Sequence, residues 1–227
     1  MNVGKKLLVI TIFLCTIYVL SYSNEKRFEG INMTNGLSNN SAVCLLEDHH
    51  GFIWIGTYDG LNKYDGVNFE IYKHVFGDST TLINNQVNCL IETNKKELWA
   101  GTANGLCQYN SKTNRFKTFP LSAYLSNTNS LYIRSVCETK DEKLWIGSTR
   151  GLYIIDKERQ HSEFQKVQSD SANLANNVRV IFQDSNENIW LGTSNGLYKK
   201  ESAGFKRYYF DKSLEQNPVV VREINED

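Results

Sequence analysis

Several residues in this 227-residue chain have types that could do chemistry, and their spacing decides what kind. His49-His50 in "EDHHG" offers two imidazoles. A metal site needs three or four ligands at defined spacing, and no third ligand accompanies the pair. Asp184 opens "DSNEN", an Asp-x-Asn-x-Asn run. It lacks the Gly and the distal Glu of a calcium loop, so a hairpin turn is expected. Cys44, Cys89, Cys107 and Cys137 show neither CxxC nor His-Cys spacing,. No metal and no cofactor is expected. What remains is a set of hydrogen-bonding side chains: Tyr58, Asp59, Asn104, Arg150 and Asn195 on turns, and Tyr132 in a connection. Asn84, Asn85, Asn176 and Asn177 lie in nearby connections. Amides, a guanidinium and phenol rings suit the hydroxyl groups of a sugar, and they equally suit solvated turns. Catalysis by paired carboxylates is not indicated, because Asp59 has no acidic counterpart in the equivalent turns.

Those turns are equivalent because the chain repeats itself. Trp54, Trp99, Trp145 and Trp190 are 45, 46 and 45 residues apart. They open "WIGT", "WAGT", "WIGS" and "WLGT", which contain Gly56, Gly101, Gly147 and Gly192. Gly-Leu follows each Trp, at Gly60, Gly105, Gly151 and Gly196. An aromatic comes next, at Tyr64, Tyr109, Tyr153 and Tyr198, and another later, at Phe69, Phe116, Phe164 and Phe205. Upstream, Ala42, Val87, Ile133 and Val178 hold one register, and Leu45, Leu90, Val136 and Ile181 another. The Trp and Gly positions are expected to be structural, since identical register in each copy means identical packing. The Gly after each Trp would allow close backbone approach. Gly60 and its equivalents would supply a turn's unusual backbone angles.

Each copy reads as four short strands. "AVCLLE" precedes a polar turn, "FIWIGT" is apolar enough for burial on both faces, and "LNKYD" and "FEIYKH" follow. One four-stranded unit per 40 to 50 residues is the signature of a β-propeller blade. The predicted fold is all-β: a partial β-propeller of four four-stranded blades plus the first strand of a fifth. The blades are expected over 37–74, 83–120, 130–168 and 175–210, within repeats spanning 24–227. The partial blade, 218–227, follows from "VREINED", where Val221 and Ile224 match Val178 and Ile181. Phe28 lies in a segment resembling a lone fourth strand. The chain is therefore expected to be the N-terminal part of a longer protein, and marginal in solubility by itself, because a blade needs neighbours on both faces.

Residues 1–23 are expected to be a signal peptide. Lys5 and Lys6 precede the apolar run Leu7–Leu20, and Ser21 to Ser23 offers a small-x-small cleavage site,. Export to the periplasm follows. Without the leader the chain carries two more acidic than basic residues. No basic block stands out, and nucleic acid is not an expected partner. Export would permit disulfides. Cys44 and Cys89, however, hold the same position in adjacent copies, and stacked sheets lie about 10 Å apart, beyond disulfide reach. They are read as buried thiols.

Neither a Gly-His nor a Trp-Asp signature of WD repeats occurs. "DHHGFIW" resembles the Asp-box turn of sialidases, but the other turns lose its Gly, and no arginine triad can be picked out. "LSNNSAVCLLEDHHGFIWIGTYDGLNKYDG" resembles the two-component regulator propeller repeat: apolar strand, Asp-turn, Trp-x-Gly-Thr, then Gly-Leu before Tyr-Asp. Copy three departs, with Ser148 for Thr and no Tyr-Asp after Leu152. The resemblance implies the periplasmic sensor region of a hybrid histidine kinase. It also implies a small ligand, a glycan fragment above all, a homodimeric parent, and a membrane anchor and kinase in further domains. Enzymatic activity is not expected of this chain. Two alternatives stand beside that reading: a secreted propeller-type glycan hydrolase or lyase, and a secreted protein-binding scaffold.

Overall fold

The computed structural model describes residues 30–121, 131–168, 174–209 and 219–226. The expected leader and Phe28 lie outside them. The chain divides at residue 31, and the architecture below is that of the unit Asn32–Asp227.

Among the described residues sixteen strands form four antiparallel sheets, each a simple meander. The first holds β1 (Ala42–Glu47), β2 (Ile53–Thr57), β3 (Gly60–Tyr64) and β4 (Phe69–Tyr72). The second holds β5 (Val87–Glu92), β6 (Leu98–Thr102), β7 (Gly105–Asn110) and β8 (Arg115–Phe119). The third holds β9 (Ile133–Glu138), β10 (Leu144–Ser148), β11 (Leu152–Ile155) and β12 (Ser162–Gln165). The fourth holds β13 (Val178–Gln183), β14 (Ile189–Thr193), β15 (Gly196–Glu201) and β16 (Gly204–Tyr208). The first strands β1, β5, β9 and β13 are neighbours in that order, so the sheets stack face to face around their inner strands. This is the blade arrangement of a partial β-propeller.

Burial follows the apolar pattern. β6 and β10 are buried along their whole length, as a strand covered on both faces must be,. Leu61, Leu106 and Leu152 are fully enclosed. Across the third and fourth strands Tyr64 stacks on Phe69, while Tyr109 meets Phe116 and Tyr153 meets Phe164 with tilted rings. The glycine after each Trp marks the closest approach of two blades. A Cβ on Gly101 would come within 2.6 Å of Ile133 Cγ2 on the next inner strand. Gly56, Gly147 and Gly192 stand in the same relation to Val87, Val178 and Val221.

The hydroxyl in Trp-x-Gly-Thr closes the following turn. Thr57 Oγ1 donates to the Gly60 carbonyl at 2.9 Å and accepts from the Asp59 N–H at 3.0 Å. Thr102, Ser148 and Thr193 repeat both bonds. Serine therefore serves in the third copy, since the contact requires only the hydroxyl. Gly60 turns with φ of +125°, in the left-handed region that a glycine enters without strain,.

Residues 219–226 form no ladder with other described residues, yet they continue the register. The Val221 N–H donates to the Thr193 carbonyl at 3.0 Å, and its side chain lies against Gly192 as Val178 lies against Gly147.

The opposite end of each blade carries the turn between first and second strands. One N–H of this turn donates to a Glu or Gln at the end of the next inner strand. The pairs are His49 to Glu92, Asn94 to Glu138, Lys140 to Gln183 and Ser185 to Glu226. Four repeats of one bond thus clip successive blades together at this end.

Candidate functional site

The first residues of each inner strand carry a feature that periodicity hides. Val87 pairs with Thr102 and Cys89 with Gly101, which leaves Asn88 as an extra residue in the ladder. The same β-bulge recurs at Val43, Arg134 and Arg179. A bulge re-aims the side chain of the residue it inserts. Every blade therefore presents one side chain from the same bulge, beside the turn between second and third strands. Those side chains are of three kinds: Val43, Asn88, and the arginines Arg134 and Arg179. Arg222 follows Val221 as Arg179 follows Val178.

In blades two to four these residues and the ones preceding each inner strand form a network. Gln86 Nε2 donates to the Tyr132 hydroxyl at 2.6 Å and to Asn88 Oδ1 at 3.1 Å. Asn88 Nδ2 donates to the Ile133 carbonyl at 2.9 Å. Arg134 lies over the Tyr132 ring, its guanidinium carbon 4.8 Å from the centroid. Arg134 Nε donates to Asn177 Oδ1 at 2.8 Å. Burial, and then the charge of nearby Arg179, draw Arg134 below the ordinary guanidinium range, while Tyr132 opposes them. Arg179 Nε is enclosed without an acceptor. Among the described residues, no carboxylate oxygen lies within 4.0 Å of either guanidinium.

The turn residues singled out from the sequence occupy the same end of the blades. Asp59 is engaged by Lys73 Nζ at 2.6 Å and by Asn85 Nδ2 at 3.0 Å, so its carboxylate binds the first blade to its own connection. Tyr58 is 56% exposed. Asn104, Arg150 and Asn195 sit at equivalent turn positions, their N–H groups held by the blade hydroxyls. Tyr132 enters the arginine network. Asn88, Arg134 and Arg179 were not singled out by sequence reasoning. The available signal was a polar residue directly after the first apolar position of three copies.

The residues that offered metal chemistry are used otherwise. His49 Nδ1 faces Glu92 of the next blade at 2.5 Å. The Asp184 carboxylate accepts from the Asn188 N–H and from the Trp190 indole, which hold it below the usual carboxylate range. Asp48 does the same for Trp54 at 2.7 Å. Blades two and three have Thr93 and Thr139 in this place, and the buried Trp99 Nε1 finds no acceptor. Cys44, Cys89, Cys107 and Cys137 are free thiols. Burial raises the pKa of all four, Cys44 to about 12.

A cleft of about 590 Å³ lies between the outer strands of blades one and two, lined in part by Tyr72, Leu82, Asn114 and Arg115. Its polar groups are largely engaged with each other. Tyr72 and Tyr109 both donate to Asn114 Oδ1 at 2.6 Å, and Asn114 bonds to Glu70 in turn. Arg115 Nη1 donates to Thr80 Oγ1 at 2.6 Å. It is an interlock between blades more than an opening for a ligand.

Three segments match the family model described as two component regulator propeller: residues 36–59, 81–104 and 174–195. Each runs from the connection through the bulge and the Trp strand to the second turn, ending at Asp59, Asn104 and Asn195. Histidine kinase P4 of Formosa agariphila is 35% identical over 81 residues, covering 36% of this chain and 6% of that protein. The extracellular domain of a protein assigned as a one component system, from B. thetaiotaomicron, matches over 90% of this chain and 38% of its own. It does so at 19% identity and a TM-score of 0.53. Virginiamycin B lyase from Staphylococcus aureus matches over 74% of this chain and 55% of its own, at 13% identity and a TM-score of 0.56. At these identities the structural likeness is one of fold, common to an extracellular domain and a lyase. The chain spans a small fraction of the kinase and about two fifths of the ectodomain.

Proposed function

From a chain built of two-component regulator propeller repeats, we propose that these blades form the ligand-sensing region of an exported sensor. The ligand is a small periplasmic molecule, an oligosaccharide in the first place. Its occupancy is relayed to a kinase through further domains, which also supply the membrane anchor, in a homodimeric parent. One observation carries the reading. A recurring frame of Trp, Gly and hydroxyl contacts presents Val43, Asn88, Arg134 and Arg179 at the same bulge of successive blades. Gln86, Asn88, Arg134 and Asn177, with Tyr132, join into one polar network across blades two to four. A scaffold that fixes position and varies chemistry is what recognition requires. The network is composed of amides, a phenol and guanidinium groups. They donate and accept hydrogen bonds along a surface that crosses blade boundaries, as an extended saccharide would.

Calorimetric titration of the protein with a panel of neutral and acidic oligosaccharides tests the proposal. Saturable binding that Tyr132→Ala weakens is expected. Tight binding of a protein with no response to any saccharide would replace this reading with that of a scaffold. Release of reducing ends or unsaturated products from a polysaccharide would replace it with that of a hydrolase or lyase.

A further inference from the structure

The two bulge arginines stand in an unusual environment for cations. The Arg134 side chain donates to the neutral amide of Asn177 and rests on the Tyr132 ring. Arg179 belongs to the adjacent inner strand at the same register, close enough for its charge to act on Arg134. Its Nε is shut away from solvent with no acceptor. Enclosing such a donor unpaired is unfavourable, as is holding two like charges side by side. Asp59, the carboxylate on the equivalent turn of blade one, is already engaged by Lys73 and Asn85. By contrast, the buried Arg159 elsewhere in the molecule has two carboxylates and two carbonyls. A pair of guanidinium forks with no carboxylate within 4.0 Å among the described residues is complementary to a planar or tetrahedral oxyanion,.

We infer that Arg134 and Arg179, presented by matching bulges of neighbouring blades, form a subsite for the carboxylate or sulfate group of an acidic saccharide. The inference rests on the oligosaccharide reading above and narrows it to sugars that carry a negative charge. Asn88 and Gln86, one blade away, stand where the hydroxyl groups of the next residue of such a sugar would be met. Arg222 holds the following place in the register and extends the positive row.

The test titrates the protein with a neutral xylo-oligosaccharide, an oligogalacturonate, a sulfated disaccharide and inorganic sulfate. Arg134→Met, Arg179→Met and Arg179→Lys are titrated in parallel, and far-ultraviolet dichroism checks that each folds. Binding of the uronate or the sulfated sugar is expected. Either Met variant should weaken it about 10- to 100-fold, and so should raising salt from about 0.05 to about 0.3 M, in lesser degree. Arg179→Lys keeps the charge and should retain more affinity than Arg179→Met; equal losses in the two would overturn the charge argument. Neutral sugar binding that neither Met variant alters, with no acidic sugar bound, overturns the oxyanion subsite and leaves the glycan reading intact. Sulfate binding abolished by Arg179→Met, without binding of any saccharide, keeps the subsite and overturns the glycan reading. No binding in any arm overturns both.

Discussion

Two arginine sites at opposite ends of the blades make the most informative contrast in the molecule. Arg159 lies at the end of the clipped turns. Its side chain is 9% exposed, and it bonds to Glu97 at 3.0 Å and to Glu138 at 3.1 Å. Its remaining donors reach the carbonyls of Glu142 and Asp156. Arg134 and Arg179 lie at the bulge end, with one neutral partner and one enclosed orphan between them. The first site joins blades two and three and leaves nothing for an outside partner. The second has no carboxylate within 4.0 Å among the described residues. The same residue type thus serves cohesion at one end and, in the inference above, recognition at the other.

The contrast can be broken in order of expected effect. Arg159→Met removes the counter-charge from Glu138, whose side chain is 6% exposed. Breaking a buried pair in this way is expected to cost about 3–5 kcal/mol, read as a lower denaturant midpoint. Gly101→Ala drives a Cβ into Ile133 and Cys89. A loss of about 1–3 kcal/mol is expected from overpacking. Because Ile133 directly precedes Arg134, ligand affinity should fall with stability. Thr93→Asp sharpens the turn end. It offers Trp99 the carboxylate that Asp48 gives Trp54, and a gain of about 1 kcal/mol in chemical denaturation is expected. Arg179→Met is the opposite of Arg159→Met. It removes an unpaired donor and a like charge, so stability should hold or rise by up to about 1 kcal/mol. An equal fall for both variants would erase the distinction between the two ends.

The smallest effect at neutral pH concerns Cys44, beside the first bulge. Burial raises its thiol pKa to about 12, so the folded state keeps the proton longer than the unfolded chain does. That contribution is fully present below the unfolded value near 9.0 and is lost as pH rises toward 12,. Cys44→Ala should flatten this part of the alkaline limb of a stability–pH profile. In the folded protein at neutral pH, the thiol should react slowly with disulfide reagents.

The blade arrangement was legible because packing demands sameness. Trp54, Gly56, Thr57 and Leu61 recur wherever two sheets must meet at one distance, and recurrence is what a sequence displays openly. Ser148 is the instructive exception: the turn requires a hydroxyl and tolerates either residue that carries one. The bulge was not legible. An inserted residue leaves the spacing within each copy unchanged, because every copy contains the same insertion. Val43, Asn88, Arg134 and Arg179 therefore looked like one more strand position, and their differences looked like noise. Sequence reading placed interest on the Tyr58-Asp59 turn, whose acid is engaged within its own blade. Tyr132 was singled out as a connection residue, and only the fold reveals that its ring lies under Arg134, two positions further along the chain.

The bulge sits inside a unit that is copied four times with interchangeable borders. At the level of the gene, recombination between copies would exchange whole blades in register. Each exchange would restore the Trp, Gly and hydroxyl contacts and also reorder the side chains along the bulge row. Shuffling of existing segments would thus vary the chemistry of the proposed recognition surface while the contacts between blades are kept.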